Sequence, residues 1–344
     1  MGLFIAVLFF HFIIFIFIGL TIFMYFKLRS LVKNNQELPL WICKLGDILK
    51  GREANPYVNI ADDCALREVH IFLLSMLLIN GIVFIVLRQR GYYVFSAIYF
   101  CFKLEFLFTV ILLMLGQLLK ISIFILRVVK KISGGYLNYA PSHVIMTMVV
   151  IVSFMFTGTM FVTGFPVKPV EIQIAESRLT IGVTKASELL KEGFQFYNKK
   201  PDDKIINHKD NRLYYGELVE LTRNGQSYGT VSLTPTWKAS DKLKDCVITY
   251  YNISGTGRQL SAIKINNKNI FKLKYSDFKN NKIIDVFSLK PADYREQMGY
   301  YSFSLQMQTH SYVLWKRYTI EGKFHKNGDP YQYEVRAQHI VWEW

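Results

Sequence analysis

Four long apolar runs fill the first half of the chain, and no other feature limits its possible folds so sharply. Gly2 to Phe26 is almost unbroken aliphatic and aromatic sequence, free of Asp, Glu, Lys and Arg, and is followed by Lys27, Arg29 and Lys33. A helix rises about 1.5 Å per residue and the hydrocarbon layer is about 30 Å thick, so roughly 20 such residues suffice to cross it. Val69 to Leu87 ends at Arg88 and Arg90, and Val144 to Phe165 ends at Pro166 within a stretch uncharged from Ile132 to Val167. Between them Tyr92 to Leu126 is interrupted by Lys103, Glu105 and Lys120. That segment is too long for one straight span and too short for two with a turn. The pattern predicts one helix over about 99–119, with an amphipathic continuation ending at Arg127, Lys130 and Lys131. The expected spans are therefore about 2–26, 69–87, 99–119 and 144–165, which together make residues 1–165 a transmembrane region. A cleaved signal peptide is the rival reading of the first run, but no basic segment precedes it and no small-residue cleavage site follows.

Composition excludes the main alternatives. The chain is 51% hydrophobic and only 19% charged, against about 25% charged in soluble domains, so an ordinary cytosolic globule does not fit. Nine prolines, 21 glycines and abundant Phe and Tyr also exclude collagen-like, low-complexity and largely disordered chains, which lack apolar surface to bury. The net charge of +15 reads first as membrane topology. Basic loops resist translocation. An outside N-terminus leaves Lys27, Arg29, Lys33, Lys44, Lys50, Arg52, Arg67, Lys120, Arg127, Lys130 and Lys131 inside, with Arg88 and Arg90 alone on the outer side. Four spans then bring the C-terminal part back to the outer face. In that orientation Cys43 and Cys64 meet a reducing cytosol and stay free thiols. Cys246, alone in the C-terminal part, reads as a small buried hydrophobe.

From about Pro166 the pattern turns to alternation with turn residues, the signature of half-buried strands. Residues 166–344 form the second expected domain, β-rich α+β with antiparallel sheets, placed outside the cytoplasm. Its 179 residues suffice for a core without disulfides. Tyr214–Leu221 and Tyr228–Leu233 flank Arg223-Asn224-Gly225-Gln226, where an Asn-Gly pair supplies the positive dihedrals of a tight hairpin. Val247–Ile253, Leu260–Ile265, Tyr312–Phe324 and Tyr331–Trp342 read as further strands, the last two around Asn327-Gly328-Asp329-Pro330. Two helices are expected, one capped by Thr184 and running through Leu190, the other over Pro291–Met298 before Gly299. Each precedes a group of strands, which suggests two helix-plus-sheet halves.

Charged and polar groups within the spans are the first candidates for function, because burying them in lipid is costly. Lys103 and Glu105 stand about 200° apart around a helix and do not face each other. Each needs another partner. His11, Asn80, Lys103, Glu105 and Gln117 could form a proton or substrate path; the alternative is that Lys103 and Glu105 snorkel to an interface while His11 and Asn80 bond across helices. Thr147, Ser153, Thr157, Thr159, Thr163, Gly158 and Gly164 read as a packing face of the last span.

Elsewhere the signals are weaker. His310, His325 and His339 match no metal-ligand spacing, and Ser254-Gly255-Thr256-Gly257 precedes no helix that could present its N-terminus to a phosphate. Asn252-Ile253-Ser254 fits a glycosylation acceptor. No catalytic motif is present, and neither a catalytic residue nor a cofactor or metal site is expected. Residues 166–344 hold 27 Lys and Arg against 19 Asp and Glu, a surplus that suits a protein, anionic lipid or envelope polymer partner. Nucleic acid is not expected as a partner, because of where the domain is placed. Abundant Lys, Asn, Ile, Phe and Tyr with scarce Cys lean towards a bacterial envelope. The leading expectation is a multi-pass plasma-membrane protein, in contact with the lipid bilayer, presenting its β-rich domain for non-catalytic binding or envelope assembly. The alternatives are a transporter or channel subunit using the intramembrane polar residues, and a membrane enzyme whose only acidic candidates are Asp47, Asp62 and Asp63.

Overall fold

The computed structural model describes residues 2–36, 39–50, 62–131, 140–208, 216–255, 260–309 and 315–338. The chain divides into two compact units. One comprises residues 1–90 and 97–161; the other comprises 91–96 and 162–344.

The first unit is helical: α1 (Gly2–Lys33), α2 (Leu40–Lys50), α3 (Asp62–Gln89), α4 (Val94–Val129) and α5 (Ala140–Thr163). Four of these helices, all but α2, are long and apolar enough to cross a membrane. Their burial is that of lipid-facing helices. Along α1 the buried apolar residues Val7, Ile14, Met24, Leu28 and Leu31 form a seam, while Phe9, Phe12, Phe15 and Phe23 are left exposed. In water such a surface would aggregate; in lipid it costs nothing. The continuation expected beyond residue 119 is part of the same helix, which also starts five residues before Tyr99. α4 runs unbroken for 36 residues, about 54 Å at helical rise, because no proline interrupts its apolar pattern and Lys120 finds a carboxylate partner in Glu68.

The short helix α2 is an element that the apolar runs do not announce. Leu40, Trp41, Lys44 and Ile48 fall on one arc of about 100° and are exposed, while Ile42 turns inward to pack with Met24, Leu28, Val69, Val144 and Ile145. Eleven residues are too few to span. An apolar arc carrying Trp and Lys is the composition of a helix lying in the membrane interface.

The second unit is built on one eight-stranded antiparallel sheet. In spatial order its strands are β11 (Tyr294–Gly299), β12 (Ser302–Met307), β13 (Arg317–Phe324), β14 (Pro330–Gln338), β8 (Val247–Ser254), β6 (Gln226–Thr234), β5 (Glu217–Arg223) and β3 (Gln195–Phe196). A four-stranded sheet adds β10 (Lys268–Asn269), β9 (Ile263–Ile265), β1 (Glu171–Ile174) and β2 (Ser177–Thr180), and β4 (Lys204–Ile206) pairs with β7 (Ser240–Lys242). Among the described residues the short α-helices α6 (Ala186–Lys191), α7 (Tyr275–Asn280) and α8 (Ile283–Val286) accompany the sheets. Alternation governs the strands. β12 and β13 bury every second residue, so Phe303, Leu305, Met307, Tyr318, Ile320 and Phe324 join Tyr333 and Val335 of β14 in one core.

The Asn224-Gly225 hairpin forms as its sequence requires. Arg223 pairs with Gln226, and Asn224 and Gly225 take φ of 53° and 73°, the left-handed pair of a tight two-residue turn. Four expectations need correction. Pro291–Met298 is not a helix: Tyr294–Gly299 is the edge strand β11, paired residue by residue with β12, and Tyr294 packs on the core. Strand Leu260–Ile265 shortens to Ile263–Ile265. The two-halves layout gives way to a shared eight-stranded sheet, since β8 bonds to both β6 and β14 and joins early and late strands. The first helix starts one residue later than expected. Its N-cap is Lys185, whose backbone N–H donates to Glu188 Oε1 at 2.8 Å, while Thr184 Oγ1 accepts from the Thr180 N–H.

Candidate functional site

In the helical unit, polar side chains meet at two levels. Asn80 of α3 donates from Nδ2 to Glu105 Oε2 of α4 at 2.7 Å and to the Met76 carbonyl at 3.0 Å. Cys101 Sγ donates to the Asn80 carbonyl at 3.7 Å. One turn on, Thr109 Oγ1 bonds the Glu105 carbonyl and Ser153 Oγ of α5, and Thr157 Oγ1 donates to the Phe102 carbonyl at 3.2 Å. These contacts thread α3, α4 and α5 together by side chains that would be orphaned in lipid. Lys103 points elsewhere, its Nζ 4.8 Å from the Phe161 ring centroid and 5.7 Å from that of Tyr99, a cation–π seat for the ammonium.

Of the five intramembrane residues singled out in the sequence, the structure therefore joins two, Asn80 and Glu105. His11 bonds within its own helix, Nδ1 to the Val7 carbonyl at 2.8 Å. Gln117 lies about 18 Å beyond Glu105 along the axis of α4, so it belongs to a different level.

The second level is one that the sequence does not single out. Lys120 of α4 pairs with Glu68 of α3, and Ser142 of α5 donates to Glu68 Oε2. The lysine and glutamate side chains are 11% and 19% exposed, so the charges are largely desolvated and depend on each other. The only sequence signal is that opposite charges sit at the same ends of two antiparallel runs. Nearby, Tyr25 Oη and His70 Nε2 are 2.9 Å apart, linking α1 to α3.

The β-rich unit offers a different constellation. A surface cavity of about 460 Å³ is lined by Lys274, Lys279 and Lys326 with Tyr275, Tyr300 and Tyr301. The Tyr275 N–H donates to the Gly328 carbonyl at 3.0 Å, which pins α7 to the turn after β13, and Tyr275 Oη donates to the Gly299 carbonyl at 2.8 Å, which pins it to the β11–β12 turn. Tyr301 lies 5.3 Å from Tyr275 and 4.7 Å from Tyr300 between ring centroids. One helix and two turns thus meet, and no motif in the sequence indicates that they would.

The remaining candidates that are described stand singly. Cys246 is fully buried, and desolvation, aided by Asp241 and Asp245, pushes its thiol up to about 12. Asp63 is exposed and pairs with Arg67 at 3.1 Å. The side chains of Asp47, Asp62 and Cys43 lie outside the described residues, as do His310, His339 and residues 256–259 of the glycine-rich segment. His325 packs 4.9 Å from the Tyr331 ring, and Asn252 Oδ1 accepts from Gln332 Nε2 inside the sheet. No group of three His, Cys, Asp or Glu suited to a metal occurs among the described residues. Compared with family models, curated proteins and solved structures, the chain matches none.

Proposed function

We propose that the chain is a multi-pass plasma-membrane protein that holds its β-rich unit at the extracytoplasmic face for non-catalytic binding or envelope assembly. The observation that carries this reading is the sorting of charge along the helical unit. Lys27, Arg29 and Lys33 end α1, Arg127 lies in the last turn of α4, and Lys130 and Lys131 follow it. The Glu68–Lys120–Ser142 contact and the Met24–Val69–Val144 packing gather the end of α1, the start of α3, the end of α4 and the start of α5 at one level. By the positive-inside rule that level is cytoplasmic. The chain leaves α5 from its other end, and the residues that follow are the β-rich unit. An interfacial α2 with Lys44 on its exposed arc fits the same basic side.

The Asn80–Glu105 contact favours a second reading, a transporter or channel subunit, because a carboxylate held between spans is a common element of ion paths. The two readings separate on one variant. In proteoliposomes, Glu105→Gln is expected to match the wild-type protein in proton and cation flux, both at the level of empty vesicles. Flux above that level that disappears in Glu105→Gln, with helical content unchanged, would replace the binding reading with the transport one.

A further inference from the structure

We infer that the cavity walled by Lys274, Lys279, Lys326, Tyr275, Tyr300 and Tyr301 binds an acidic saccharide, a chain of sugar rings carrying carboxylate or phosphate. This deepens the reading above and rests on the β-rich unit facing outward.

Three lysines line the space, and among the described residues one carboxylate is paired with them. That carboxylate, Asp329, is 3.8 Å from Lys274 Nζ through Oδ1 and takes Asn327 Nδ2 at 2.9 Å through Oδ2. Asp277 of α7 is turned to the Lys274 backbone N–H, accepting from it at 2.8 Å. Lys279 and Lys326 have no carboxylate partner among the described residues. The rim is therefore positive, and its cations are point charges on flexible stems, suited to an anionic group without a fixed fork geometry.

The aromatic wall narrows the ligand class. Tyr300 is 85% exposed, an unusual cost for a large ring at the mouth of a cavity. It stands edge-on to Tyr301 at 84°, so a ring face remains open for stacking. Behind it Tyr275 and Tyr301 are held by core contacts, Tyr275 lying 5.6 Å from Phe324, so the platform is pre-formed. The apolar C–H face of a pyranose stacks on such a ring while its acid group meets the lysines. A volume of about 460 Å³ lies within the usual range of about 300–1,000 Å³ for ligand sites, room for one or two sugar rings. A ring-free polyanion would use the lysines and leave Tyr300 idle. Single-stranded nucleic acid would use both, but an outward-facing unit does not meet it.

The test uses the full-length protein in phosphatidylcholine nanodiscs, with binding followed by isothermal titration. The probes are oligogalacturonate and a phosphorylated mannan oligosaccharide; the controls are methyl-esterified oligogalacturonate, short-chain polyphosphate and oligo-deoxythymidylate. At least one acidic saccharide is expected to bind about tenfold more tightly than each control. Tyr300→Ala and the pair Lys279→Ala with Lys326→Ala are each expected to weaken it about tenfold. All three positions lie at the surface, and unchanged circular dichroism establishes the fold of the variants. Failure of both saccharides to bind, equal binding of polyphosphate, tighter binding of oligo-deoxythymidylate, or indifference to Tyr300→Ala overturns the inference. The nanodisc result does not depend on orientation in cells, so this failure is distinguishable from failure of the outward-facing reading, which is read separately from thiol labelling of unbroken cells.

Discussion

Lys120→Met is expected to destabilise the helical unit by about 3–5 kcal/mol, the cost of leaving a buried carboxylate without its cation. Among the described residues Glu68 then keeps the Ser142 hydroxyl alone, and one neutral donor does not replace a charge. The converse change, Glu68→Leu, strands Lys120 in the same way. The double variant Glu68→Leu with Lys120→Met removes both charges and replaces them with apolar groups, so it should regain most of the loss. Thermal unfolding of the full-length protein in mild detergent measures all four species. Single variants costing less than about 1 kcal/mol would mark the pair as solvent-screened. Additive losses in the double variant would mean that the two side chains act independently.

Phe303→Ala should cost the β-rich unit about 3–5 kcal/mol, the upper range for losing a core aromatic. Phe303 is at the centre of a ring cluster: it stacks on Phe278 at 4.2 Å and 21°, and lies 6.0 Å from Phe287, 6.1 Å from Phe324 and 6.2 Å from Tyr333. Its register partner on β13 is Gly322, and a Cβ added there would collide with the Phe303 ring. Glycine is thus needed for the close approach of the ring to the backbone. Gly322→Ala should by itself cost about 1–3 kcal/mol through overpacking. In the Phe303→Ala background that penalty should largely vanish, since the ring it strikes is absent. Denaturant unfolding of the full chain, followed by near-ultraviolet circular dichroism, gives the cycle. A Gly322→Ala cost that is the same with and without the ring would refute the packing described.

Both predictions concern contacts that are hidden in the sequence, and the reason is the same in each. Apolar runs and the Asn224-Gly225 turn are local signals, set by composition and by backbone dihedrals within a few residues. They are legible. The Pro291–Met298 segment shows where local signals mislead: Pro near one end and Gly past the other resemble helix punctuation, yet pairing with Ser302–Met307 decides the outcome. Tyr294 and Glu296 point one way in that strand, with Tyr294 on the core and Glu296 Oε1 accepting from the Ile284 N–H at 2.9 Å. The candidate site divides in the same manner. Asn80 and Glu105 stand out because polar groups in apolar runs are visible one at a time, whereas the Glu68–Lys120 pair needs two helices in register. The lysine–tyrosine cavity needs a helix and two turns brought together by hydrogen bonds from Tyr275, and no spacing along the chain encodes that.

The sidedness of the membrane spans is read by thiol labelling of unbroken cells. In a full-length background with Cys43→Ser and Cys64→Ser, Cys101 and Cys246 remain silent, both being buried, the latter with its thiol pushed up to about 12. Glu192→Cys then reports on the β-rich unit and Lys130→Cys on the basic end of α4, both at exposed positions. With a membrane-impermeant maleimide, Glu192→Cys is expected to label in unbroken cells and Lys130→Cys only after permeabilisation. Labelling of Lys130→Cys from outside, with Glu192→Cys protected until the cells are opened, would contradict the account.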